Sequence, residues 1–113
     1  GGVALVGGFS ARRHSDCWWT EDGAGWTAWT RDEGAPFARR VQHALFGGPG
    51  GAVWLAGGQG PGWRALNDLW RLGAEGQWHR VAEASAWKPR FDFGAAELGD
   101  GRMLVTGGGS GQQ

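Results

Sequence analysis

The chain has 113 residues, with 11 basic side chains balanced by 11 acidic ones. A net charge of zero gives no global field that would draw the chain to nucleic acid or to an anionic membrane. No run of about 18 apolar residues occurs, so no membrane-spanning helix is expected. Glycine is abundant at 24 residues, yet nine tryptophans argue for packed structure and not for a disordered, aromatic-poor segment.

The dominant pattern is a glycine pair that closes a short apolar run and returns every fifty residues. It reads Leu5-Val6-Gly7-Gly8, then Leu55-Ala56-Gly57-Gly58, then Val105-Thr106-Gly107-Gly108. Asp16-Cys17-Trp18 matches Asp68-Leu69-Trp70, Trp26 matches Trp78, and Arg40 matches Arg90. A period of this length marks an array of supersecondary units. The segment Gln59–Ala65 is longer than Phe9–Arg13, and such insertions between matched segments are loops on a repeated scaffold.

In the complete unit the first strand is expected over Val41–Phe46, followed by the turn Gly47–Gly51. The second strand covers Ala52–Ala56 and ends at the double glycine. The third covers Leu66–Leu72 and the fourth Gln77–Ala82. Asp22-Gly23 and Asp100-Gly101 are hairpin dipeptides between apolar runs, so neighbouring strands pair directly. No segment keeps helical periodicity for ten residues. The fold class is therefore all-β, built of four-stranded antiparallel units. Propellers close with roughly four to eight such blades. The chain is accordingly read as an incomplete ring: a piece of a longer chain, or a protein that completes its ring by self-association.

These residues resemble the kelch-repeat family. The features are an Arg before the first strand (Arg40, Arg90), an apolar second strand ending Gly-Gly, and Asn67-Asp68 or Ser15-Asp16 before the third strand. A Trp then opens the fourth (Trp26, Trp78). The resemblance implies kelch-type β-propeller blades: a partial blade with strands two to four and a linking loop over 1–39, a complete blade with its loop over 40–89, and a partial blade with strands one and two over 90–113. The chain departs from the family in having no tyrosine and in placing Gln42-His43 and Asp92-Phe93 where the family has Gly-His. In the family, arginines like Arg40 and Arg90 face the channel mouth, where a guanidinium fork suits a carboxylate or phosphate. The alternative for both is a structural role on loop carbonyls.

The loops after the double glycine and after the fourth strand are expected on one face. They supply Arg12, Trp63, Arg64 and Trp87, which join Arg40 and Arg90 as the candidate binding residues. Trp63 and Trp87 have no repeat partner, whereas the matched Trp18, Trp26, Trp70 and Trp78 are expected in the core between blades. The expected partner is a protein or acidic peptide bound through a rigid scaffold, with no catalysis, cofactor or metal. The alternative is part of a propeller enzyme, an oxidase or a sugar-acid isomerase or hydrolase, whose catalytic residues lie in further blades. His14, His43 and His79 have no metal-ligand spacing, and Cys17, aligned with Leu69, reads as a small buried hydrophobe. The stretch Gly60–Ala65 fits a dinucleotide-binding Gly-x-Gly-x-x-Ala, but that motif needs a helix after it, and a strand is expected there.

Overall fold

A computed structural model describes residues 3–30, 35–47, 52–73 and 76–110. The chain is all-β. Its first sheet contains β1 (Val3–Phe9), β2 (Arg13–Thr20) and β3 (Thr27–Thr30) in the order β1-β2-β3. The second contains β4 (Ala44–Gly47), β5 (Val53–Gln59), β6 (Ala65–Leu72) and β7 (Trp78–Ala82) in sequential order. The third pairs β8 (Gly94–Glu97) with β9 (Met103–Thr106). Every pairing between these strands is antiparallel. The four-stranded meander is blade-like, β4 and β8 of successive sheets lie against each other, and the described strands do not close a ring. Of the expected turn Gly47–Gly51, residues 48–51 lie outside the described residues.

The double glycine does not end the second strand. β5 runs through Gly57 and Gly58 to Gln59, and its pairing with β6 slips between Ala56 and Gly58. Two demands explain the glycines. Gly57 and Gly58 have φ of 56° and 106°, a region that side chains with a Cβ disfavour. A Cβ on Gly57 would also stand 2.8 Å from the Phe93 ring, and one on Gly58 2.9 Å from the Val41 carbonyl. The bulge thus presses the second strand against the first strand of its own blade and against that of the next.

The first strand is shorter than its sequence pattern. Val41 makes a bridge to Gln59, and Gln42 then turns at φ 56° before β4 begins at Ala44. The same kink recurs fifty residues on, where Phe91 bridges Gly109 and Asp92 has φ 57°. Hydrogen bonds between sheets follow the same repeat: Gly8 N–H donates to the Arg40 carbonyl at 3.0 Å and Gly58 N–H to the Arg90 carbonyl at 2.9 Å.

The core sits between the first and second sheets. Val6, Cys17, Phe37, Leu55, Trp70 and Leu72 are buried there, with Trp78 packed against them. Phe37 meets Trp70 and Trp78 edge-on, with centroids 5.7 and 5.0 Å away. Of the four repeated tryptophans, Trp70 is buried, whereas Trp26, on a flank with no described sheet against it, is 41% exposed. Leu69 and Ala82 of the second sheet, with Met103 and Leu104 of β9, line a cleft between the second and third sheets instead of a closed core.

Candidate functional site

The joint between the first two sheets is organised by one arginine. Arg40 is wholly buried. Its Nε donates to the Ala38 carbonyl at 3.0 Å and its Nη1 to the Gly57 carbonyl at 2.9 Å. The two terminal nitrogens form a bidentate pair with Asp68, at 2.7 Å to Oδ1 and 2.8 Å to Oδ2. Trp70 Nε1 donates to Asp68 Oδ2 at 2.8 Å, and the guanidinium lies 5.4 Å from the centre of the Phe37 ring. Burial alone would raise the Asp68 carboxyl, but the hydrogen bonds and charge of Arg40, with the Trp70 bond, outweigh it and hold the group below its ordinary value. The fork of Arg40 is therefore occupied inside the protein, as in the structural alternative for this residue. Its partner Asp68 is visible in the sequence as the start of the repeated Asp-x-Trp and as half of the Asn67-Asp68 dipeptide before the third strand, but not as the partner of Arg40.

Asn67, the other half of that dipeptide, fastens the loop that leads to the third sheet. Its Nδ2 donates to the carbonyls of Ser85 and Trp87, each at 3.2 Å.

The second joint repeats the first with one difference. Arg90 Nε donates to the Lys88 carbonyl at 3.1 Å and Nη1 to the Gly107 carbonyl at 3.0 Å, fifty residues on from the Arg40 contacts. Its guanidinium stands 5.9 Å from the centre of Trp87, as Arg40 stands over Phe37. Trp87 is thus the counterpart of Phe37, which corrects the expectation that it has no repeat partner. It also packs on Phe93, with centroids 5.7 Å apart. No described carboxylate meets Arg90. A cleft of about 560 Å³ opens beside Arg90 and Trp87, floored by Ala56, Leu69 and Met103–Val105.

The loop after β5 forms a different surface. Pro61–Trp63 makes a single 3-10 turn, and the loop around it is bracketed by Gly60 N–H donating to the Arg64 carbonyl at 2.9 Å. Gly62 and Trp63 both have positive φ, 72° and 62°. For Trp this backbone is costly, on the order of 1–3 kcal/mol. It lifts the indole into solvent, where it is 73% exposed. Arg13, from the start of β2, lies 5.0 Å from the Trp63 ring centre and donates through Nη2 to Gln59 Oε1 at 3.1 Å. Trp63, Arg64, Lys88, Pro89 and Ser110 line a depression of about 490 Å³ whose described lining carries no carboxylate.

The six candidate residues therefore divide. Trp63 and Arg64 meet at this depression. Arg90 and Trp87 flank Lys88–Pro89 and line the adjoining cleft. Arg12 lies exposed in the β1–β2 turn beside Arg13, and Arg40 is interior. The segment that follows Gly60–Ala65 is strand β6, so the dinucleotide motif lacks its helix.

His43 crosses the first joint, its Nε2 2.8 Å from the Val6 carbonyl. Burial, with the charge of Arg40 adding to it, lowers its pKa from 6.5, and the Val6 bond opposes this. A lowered His pKa means that the unfolded chain binds the proton more readily, so the contribution is complete above about 6.5 and is lost as pH falls toward the folded value. We expect thermal unfolding, followed by circular dichroism, to move to lower temperature as pH drops below that point. His43→Phe, which installs the residue found at the matched position 93, should flatten this slope; an unchanged slope would remove His43 as its source. Cys17 is pushed up to about 11 by burial, helped by the charge of Asp16, and is a neutral thiol at physiological pH.

Comparison of the sequence with protein-family models and with curated proteins found no match.

Proposed function

We propose that this chain is a segment of a kelch-type propeller that serves as a rigid scaffold for binding a protein or peptide, and that the surface around Trp63 takes an acidic segment. The observation that carries the reading is the raised, 73% exposed Trp63 ring. A backbone conformation that disfavours side chains holds it there, and no core packing accounts for that cost. Arg13 stacks on the ring, and Arg64 and Lys88 share its depression, so an apolar anchor sits among cations. Such a surface suits a ligand with an apolar side chain flanked by carboxylates: the ring supplies contact area at small entropic cost, and the cations supply register and association rate. The β-sheets below keep the loop fixed, which reduces the ordering cost of binding.

The test uses a fluorescein-labelled peptide of alternating Glu and Leu, with a Lys-for-Glu version as control. Binding of the acidic peptide should weaken as NaCl rises from about 0.05 to about 0.3 M, because exposed charges are screened over roughly 6–13 Å in that range. Trp63→Ala should cost about 30-fold in affinity, in line with about 2 kcal/mol for a central aromatic. Arg64→Glu should weaken the acidic peptide and strengthen the basic one. Equal binding of both peptides, or binding indifferent to Trp63, would refute this assignment.

A further inference from the structure

We propose that Phe9 is a second anchor of the surface at Trp63, and that the segment bound there is an acidic peptide in the polyproline-II conformation with two apolar side chains three residues apart. The assignment rests on the Trp63 surface taking an acidic peptide and adds what sets the spacing within that peptide. Phe9 and Trp63 are the two most exposed large apolar side chains among the described residues, at 67% and 73%. They belong to different sheets, yet they flank the same arginine. Phe9 ends β1 directly opposite Arg13 of β2, so these two side chains start about 5 Å apart. The Arg13 guanidinium in turn lies 5.0 Å from the centre of the Trp63 ring. The order across the first joint is therefore apolar, cationic, apolar.

The row is held from both sides. The turn after Phe9 is tied by Ser10 N–H donating to the Arg12 carbonyl at 3.0 Å and by Ser10 Oγ standing 2.8 Å from His14 Nε2. Arg13 is tied through Nη2 to Gln59 Oε1, and its Nη1 has no hydrogen-bond partner among the described residues. The arginine thus stays in place and keeps a donor for a carboxylate. Two steps of about 5 Å put the aromatic anchors roughly 10 Å apart, and that span selects the peptide's conformation. In a β-strand, side chains on one face recur at about 7 and about 13 Å, and neither matches. A polyproline-II segment has three residues per turn and a rise of about 3.1 Å, so residues three apart share a face at about 9 Å. The two residues between them fan out to the flanks, where carboxylates face Arg13 and Arg64. Such a segment is already ordered before it binds, which suits it to an aromatic-lined surface.

The probe is a fluorescein-labelled peptide, Glu-Glu-Leu-Glu-Pro-Leu-Glu-Glu, titrated into the 113-residue protein. Two further versions each replace one Leu by Ala, and a third inserts one more Glu between the two Leu. Loss of either Leu should weaken binding to the unaltered protein about fivefold or more, and the wider spacing should bind no better than the single-Leu versions. Phe9→Ala should weaken the two-Leu peptide by a similar factor, and should add little against the version that lacks the Leu Phe9 receives. Trp63→Ala should show the same pattern with the other Leu. The peptide versions require no change to the protein, so they stand even if Phe9→Ala disturbs the fold. Binding that Trp63→Ala weakens but Phe9→Ala does not would overturn the second anchor and leave the Trp63 surface standing. Binding indifferent to both substitutions would remove that surface and the second anchor together. An equal loss of all four peptides on Phe9→Ala would mean that Phe9 acts through the fold, and would equally overturn the proposal.

Discussion

Arg40→Ala is expected to destabilise the chain by about 3–5 kcal/mol, the cost of stripping one partner from a buried ion pair. Domains of this size are stable by only about 5–15 kcal/mol, so the variant should be largely unfolded at modest temperature. The magnitude follows from what remains. Asp68, with 17% of its side chain exposed, keeps its Trp70 bond but loses both guanidinium bonds, and the Gly57 carbonyl loses its donor. Phe37 loses the cation above its ring. The double variant Arg40→Ala/Asp68→Ala should recover part of the loss, because it removes the carboxylate that the single variant leaves unpaired. Arg90→Ala, at the same repeat position but half-buried and without a carboxylate partner among the described residues, should cost about 1 kcal/mol. Thermal unfolding of the four proteins decides the matter. A loss at Arg40 no larger than that at Arg90 would mean that the clamp is not what joins the first two sheets.

The contrast between these arginines shows how far the sequence could be read. Periodicity made the strands legible, because glycine pairs, Asp-x-Trp and the hairpin dipeptides each mark a fixed point in the meander. The sequence also showed that Arg40 and Arg90 are equivalent, but not what either one touches. Asp68 lies 28 positions from Arg40, and only folding of β6 beside Gly57 brings the carboxylate under the fork. Phe37 and Trp87 are not legible as a pair in the sequence, because a Phe and a Trp in loops share no motif; their equivalence lies in standing three residues before an arginine whose guanidinium covers each ring. The bulge at Gly57 was hidden for a related reason. A double glycine signals a strand end or a close approach equally well, and the answer depends on Phe93 and Val41, which come from other segments. Trp63 is the opposite case. It stood out by falling in an insertion with no repeat partner, and it is indeed the most exposed of the large apolar side chains described.

Trp70→Ala is expected to cost about 3–5 kcal/mol, the range for emptying a buried aromatic site. Trp70 fills the joint between the first two sheets, is only 8% exposed and meets the edge of Phe37. It also donates the hydrogen bond that helps hold Asp68 beneath Arg40, so its removal weakens the clamp as well as the packing. Trp78→Ala should fall close behind, since its ring stands 5.0 Å from Phe37 at 81°. Each edge-on aromatic pair contributes about 0.5–1.5 kcal/mol beyond area burial. Trp87→Ala should be intermediate: its half-buried ring touches Phe93 and lies under Arg90, but one side faces the open cleft. Trp63→Ala should stay within about 0.5 kcal/mol of the parent, as surface substitutions usually do. Relief of the positive φ does not alter that expectation, because alanine at 63 meets the same backbone restriction. Urea midpoints for the four variants, compared at unchanged denaturant slope, give the order directly. A Trp63→Ala loss equal to that of Trp70→Ala would show that the raised indole is part of the folded core, and would leave the surface around it without a free aromatic to offer a ligand.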